Sequence, residues 1–108
     1  MRKGLKWEED KKMKKFQVSI KFQMNDEFMA LIPEHRAYIN TLIEKSVIDQ
    51  YVVTLQSQKI WITMCAKNKR KVKKQLSGSP LYKYWEFEIE ELNVIDGQLH
   101  RLPAVQLN

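Results

Sequence analysis

Hydrophobic and polar residues alternate along three stretches of this chain, and each alternation predicts a β-strand. From Phe16 to Gln23, the apolar Phe16, Val18, Ile20 and Phe22 interleave with Gln17, Ser19, Lys21 and Gln23. From Lys59 to Lys67, Ile60, Ile62, Met64 and Ala66 interleave with Trp61, Thr63 and Cys65. After the Ser79-Pro80 turn, Trp85, Phe87 and Ile89 interleave with Glu86, Glu88 and Glu90. Side chains two apart share one face of a strand, so each stretch presents two unlike faces. The last alternation then changes phase, with Leu92 and Val94 apolar, which predicts a β-bulge near Glu90. Val47–Gln56 reads as a further strand, joined to the strand from Lys59 by the polar pair Ser57-Gln58 as an antiparallel hairpin.

Two segments carry the helical period instead. In Asn25–Ser46, the residues Phe28, Leu31, Ile32, His35, Ile39, Leu42 and Ile43 recur at three- and four-residue steps. Asn25 or Asp26 can cap the start. Pro33 falls inside the pattern and predicts a kink or a restart there, because proline lacks a backbone donor. Asn68–Ser77 is a shorter helix with Asn68 as cap, Val72 and Leu76 on its buried side and Gly78 ending it at the C′ position. The order is therefore βαββαβ, which implies an α+β, ferredoxin-like sandwich: a four-stranded antiparallel sheet with both helices on one face. The second face is left open, and Trp61, Cys65 and part of Tyr51-Val52-Val53 make it partly apolar, so a homodimer or higher oligomer is the expected way to cover it.

The 108 residues support one domain at 16–108, including a C-terminal tail, preceded by a charged extension at 1–15. Net charge is +6, but residues 1–15 hold seven basic and three acidic side chains, and much of the remaining positive charge lies in Lys69–Lys74. That distribution describes a tail and one helix face, not a nucleic-acid patch. The third strand offers Trp61 alone where an RNA-recognition sheet needs several stacking aromatics, so nucleic acid is an unlikely partner. No apolar run reaches membrane-spanning length and no secretory segment follows the basic N-terminal stretch, so a cytoplasmic, non-membrane protein is expected. The single cysteine, Cys65, forms neither an internal disulfide nor a metal site by itself and reads as an inert small hydrophobe.

Three stretches resemble a known family: Leu31–Lys45 followed by Val47-Ile48, Pro80–Tyr84 leading into Glu86–Ile89, and His100–Ala104. Through them the chain from Phe16 to Asn108 resembles the muconolactone isomerase-like group of the dimeric α/β-barrel superfamily, which is related to YCII-type proteins. The resemblance implies a dimeric α/β barrel, a small organic ligand between sheet and helices, and no metal or organic cofactor. For an enzyme of that kind it implies cofactor-free proton transfer on a small organic acid or lactone. An oligomeric binding or assembly protein of the same fold, without chemistry, is the alternative. His35 matches a histidine position of the YCII-type proteins.

The residues themselves supply candidates. His35 lies on an apolar stripe yet titrates near neutrality, so with Glu86 or Glu88 it forms an expected acid–base set, against the plainer reading of a hydrogen-bonded core histidine. Glu86 and Glu88 equally suit a solvated edge strand. Arg36 and Arg101 offer guanidinium groups to an anion, and Tyr38, Tyr51, Trp61 and Tyr84 are candidate walls for a flat ligand, each also an ordinary core or seam residue.

Overall fold

The computed structural model describes residues 12–97. β1 (Lys14–Lys21) leads into α1 (Asp26–Glu44). β2 (Ile48–Thr54) and β3 (Lys59–Ala66) form the hairpin, α2 (Lys69–Leu76) follows, and a single 3-10 turn at Tyr82–Tyr84 precedes β4 (Glu86–Leu92). The sheet order is β2-β3-β1-β4 with every neighbouring pair antiparallel, which is the ferredoxin-like arrangement the βαββαβ order implies. The extension at 1–11 and most of the C-terminal tail, with Arg101 and the His100–Ala104 stretch, lie outside the described residues.

The alternations translate directly into faces. On β1, Phe16, Val18 and Ile20 are buried; on β3 so are Ile60, Ile62, Met64 and Ala66. Register sets Val18 opposite Ile62 and Ile20 opposite Ile60, so these side chains form one continuous layer beneath the helices. Phe28, His35, Ile39 and Leu42 of α1 and Val72 and Leu76 of α2 close the layer from above. Each large apolar side chain buried in this way contributes roughly 1.5–3 kcal/mol. Asn25 caps α1 by accepting from the Phe28 amide at 2.8 Å, and Asn68 caps α2 by accepting from the Lys71 amide at 2.9 Å.

Two local expectations are corrected. α1 runs unbroken through Pro33 and does not restart there. Pro33 and Met29 both lie on its exposed side, where solvent can serve the carbonyl that proline leaves without a donor. Gly78 follows the cap residue Ser77 and so holds the expected C′ position, but not in the left-handed conformation. Glycine is needed at 78 for room instead, since a Cβ there would lie 2.2 Å from the Tyr38 hydroxyl. The bulge near Glu90 is absent: β1 and β4 stay in register from Lys21 opposite Glu86 to Lys15 opposite Leu92. The pairing shift falls on β2, between Ile48 and Gln50.

The larger correction concerns closure. The sheet is open: β2 and β4 are its two ends and do not pair with each other. The expected dimeric α/β barrel is overturned, and the composition of the second face gives the reason. Lys15, Gln17, Ser19 and Lys21 of β1 sit beside Lys59, Trp61, Thr63 and Cys65 of β3 and Glu86, Glu88 and Glu90 of β4. That surface is mostly polar and charged, so little apolar area drives it to curl or close.

Candidate functional site

His35 sits two residues after Pro33, at the centre of the buried stripe of α1, with 2% of its surface exposed. A buried imidazole needs partners for both nitrogens, and it has them. Nδ1 lies 2.7 Å from Ser79 Oγ and Nε2 lies 2.7 Å from Tyr51 Oη. The three residues come from α1, β2 and the segment after α2, so this contact joins three parts of the chain. The ring also packs edge-on against Trp85, centroids 5.6 Å apart.

Either ring nitrogen can carry the proton, and each choice leaves one hydroxyl hydrogen without an acceptor among the described residues. Ser79 Oγ already accepts from the Leu81 amide at 3.0 Å. With Ser79 donating its own hydrogen to Nδ1, Nε2–H donates to Tyr51 Oη, and both ring nitrogens and Ser79 are satisfied. The opposite tautomer leaves the Ser79 hydroxyl hydrogen, on a residue only 5% exposed, without an acceptor among the described residues. The first arrangement leaves the Tyr51 hydroxyl hydrogen free.

Burial drives the His35 pKa down from 6.5 to about 4, and the neighbouring Arg36 guanidinium pushes in the same direction. At neutral pH the ring is uncharged. Burial likewise raises the Tyr51 pKa, an effect that Arg36 partly offsets. The Arg36 guanidinium carbon lies 5.2 Å from the centre of the Tyr51 ring, and its one recorded hydrogen bond goes to Asn40 Oδ1 at 3.2 Å. Among the described residues Arg36 makes no ion pair.

These groups border a cleft of about 200 Å3 between α1 and the β2 edge of the sheet. Its walls are Phe22, Met24, Phe28, Ile32, Val53, Leu55, Ile60 and Leu81, and His35, Arg36 and Tyr51 also border it, although its lining surface is almost wholly apolar. Of the residues singled out in the sequence, the cleft therefore brings together His35, Arg36 and Tyr51.

The others are placed elsewhere. Glu86 and Glu88 point to the open face, opposite Lys21 and Ser19, with the sheet between them and His35. They share a hollow there with Trp61, Lys21 and Lys59. Tyr38 reaches across to α2, donating to the Gln75 carbonyl at 2.6 Å. Tyr84 packs edge-on against Phe28 and donates to Glu27 Oε1 at 2.9 Å. Cys65 is half-buried with Sγ 2.8 Å from the Lys15 ammonium, which also pairs with Asp49. Ser79 was legible in the sequence only as a turn residue; nothing in the local pattern announces a long-range bond to His35. Among the described residues, no group of three or more His, Cys, Asp or Glu side chains could hold a metal ion, and no helix is long and apolar enough to cross a membrane.

No protein-family model matches this chain, and no curated protein matches it either. With the open sheet, that overturns the resemblance to the muconolactone isomerase-like group. The class defined by the structure is a ferredoxin-like α+β domain with an apolar cleft beside an uncharged, hydrogen-bonded histidine.

Proposed function

We propose that this protein binds a small, mostly apolar organic ligand in the cleft between α1 and β2, and that His35 fixes the orientation of Tyr51 in its wall. The observation that carries the reading is the lining: walls of Phe22, Phe28, Ile32, Ile60 and Leu81 meet the ring of Tyr51, whose hydroxyl is held by His35. Such a surface, apolar with a few oriented polar groups, is the usual make-up of a small-molecule site. Both nitrogens of His35 are already engaged, so a proton exchanged with a ligand would have to pass through Tyr51 or Ser79. Among the described residues no carboxylate hydrogen-bonds the ring to share that proton. Binding without chemistry is accordingly the function the geometry supports best. Self-association is a separate proposal, supported by Trp61 and the 40% exposed Val52 on the open face, and mass measurement in solution tests it.

The ligand proposal is tested by NMR titration of the full chain with a neutral probe such as 2-phenylethanol. Shift changes are expected at Phe28, His35, Tyr51 and Leu81. Val53→Trp, at a half-exposed wall position, should fill the cleft and abolish them while the fold persists. Undiminished binding to that variant, or shifts centred on another surface, would sink the proposal.

A further inference from the structure

Beyond the cleft, and without resting on it, we infer that the open face of the sheet carries a second binding site: a hollow that takes one neutral pyranose unit of a sugar. Register lays this face out in rows across the strands. Trp61 of β3, Ser19 of β1 and Glu88 of β4 stand side by side in one row, and Lys59, Lys21 and Glu86 form the next. Ser19 is the smallest side chain of the two rows and lies between an indole and a carboxylate, so the surface dips there. The hollow over it measures about 340 Å3 and is bordered by the other five side chains.

The chemistry of this border selects the class of ligand. Two lysines and two glutamates bring charges that cancel, so neither an anion nor a cation is favoured overall. None of the four is in an ion pair among the described residues, although Lys21 and Glu86 face each other in register. Ammonium groups only donate hydrogen bonds and carboxylates only accept them, whereas a hydroxyl does both. A ligand with hydroxyl groups around its rim therefore finds a partner on either side. Trp61 is half-buried and adds an apolar plane beside those charges. A pyranose ring pairs the same two properties, a C–H-rich face that packs on an aromatic ring and a hydroxylated edge.

Size agrees with one sugar unit. Trp61 and Glu88 are two strand spacings apart, roughly 10 Å at the backbone. At roughly 30 Å3 for each water-sized group, about 340 Å3 holds about eleven such groups. A single hexopyranose residue has that many heavy atoms, and a nucleotide has about twice as many.

The test is NMR titration of the full chain at neutral pH with the methyl glycosides of glucose, galactose and mannose. At least one is expected to give saturable shifts at Ser19, Trp61 and Glu88, and none at His35 or Phe28 on the other side of the sheet. The uronate and the 2-amino form of the sugar that binds should each gain no more than about threefold, because an added ion meets a like charge as well as an opposite one. Trp61→Ala should weaken binding at least about tenfold, and Trp61→Phe, which keeps a flat ring, should retain most of it. Ser19→Phe fills the hollow from its floor on the solvated face and should abolish binding with the sheet intact. A second copy on this face would cover the hollow, so saturating sugar should shift any self-association through Trp61 toward the single chain. Failure of all three glycosides to shift Ser19 and Trp61, shifts that survive Ser19→Phe, or self-association through Trp61 that sugar leaves unchanged would each overturn the inference. The cleft proposal, probed with 2-phenylethanol, stands or falls separately.

Discussion

Lowering the pH should destabilise this protein through His35 before most of its carboxylates are protonated. In the unfolded chain the imidazole titrates near 6.5, whereas burial holds it at about 4 in the fold. Between those values the unfolded state binds a proton that the folded state refuses, so stability falls as pH falls. The contribution is complete above pH 6.5 and is lost progressively down to pH 4. Each pKa unit corresponds to about 1.4 kcal/mol, so roughly 3 kcal/mol is at stake, of which about 2 kcal/mol is gone by pH 5. For a domain with a stability of about 5–15 kcal/mol this is large. The assay is urea unfolding at pH 7.5 and pH 5 for the native chain and for His35→Gln, which keeps a polar group at the position without the titration. With a urea slope of roughly 1–3 kcal/mol per molar, the native chain should lose about 1 M more of its midpoint than the variant. The fluorescence of Trp85, whose ring touches His35, supplies a second reading of the same protonation. Parallel losses in the two proteins, or an imidazole that titrates at 6.5 in the fold, would refute the reasoning.

Two further outcomes follow from the packing. Ser79→Ala strands the Leu81 amide and His35 Nδ1 together, and should cost about 1–3 kcal/mol in urea unfolding at neutral pH. Gly78→Ala places a methyl against the Tyr38 ring and hydroxyl and should cost about 1–3 kcal/mol through overpacking. In a Tyr38→Ala background the same change should be much cheaper, a coupling that a double-mutant cycle reads directly.

The fold was open to sequence reasoning because its core strands, β1 and β3, each keep one apolar face with a period of two. α1 was equally clear, since Phe28, His35, Ile39 and Leu42 hold the helical period and Asn25 supplies the cap. Misreadings came where local chemistry had two uses. Proline at 33 is disruptive in a buried helix and tolerable on the exposed side of one. The phase change after Glu90 looked like a bulge, yet Glu91 and Leu92 simply stay in register at the fraying end of β4, where neither face is strongly buried. Of the site, His35 stood out as a polar residue on an apolar stripe. Its partners did not, because Tyr51 and Ser79 are 16 and 44 residues away and become neighbours only when β2 and the turn after α2 are folded against α1. The pairing of His35 with Glu86 or Glu88 relied on chemical affinity alone, and strand register sends those glutamates to the other side of the sheet.

Among the described residues the sheet has two unpaired edges, and each is a template on which another chain could polymerise. On β4, Glu86, Glu88 and Glu90 recur at every second position, so a second β4 laid alongside would bring carboxylates against carboxylates. On β2, the pairing shift at Ile48–Gln50 interrupts the regular ladder that an incoming strand would have to copy. The same glutamates that take no part in the cleft thus help the domain remain a discrete particle at high concentration, a property gained from where the charges recur and independent of any ligand.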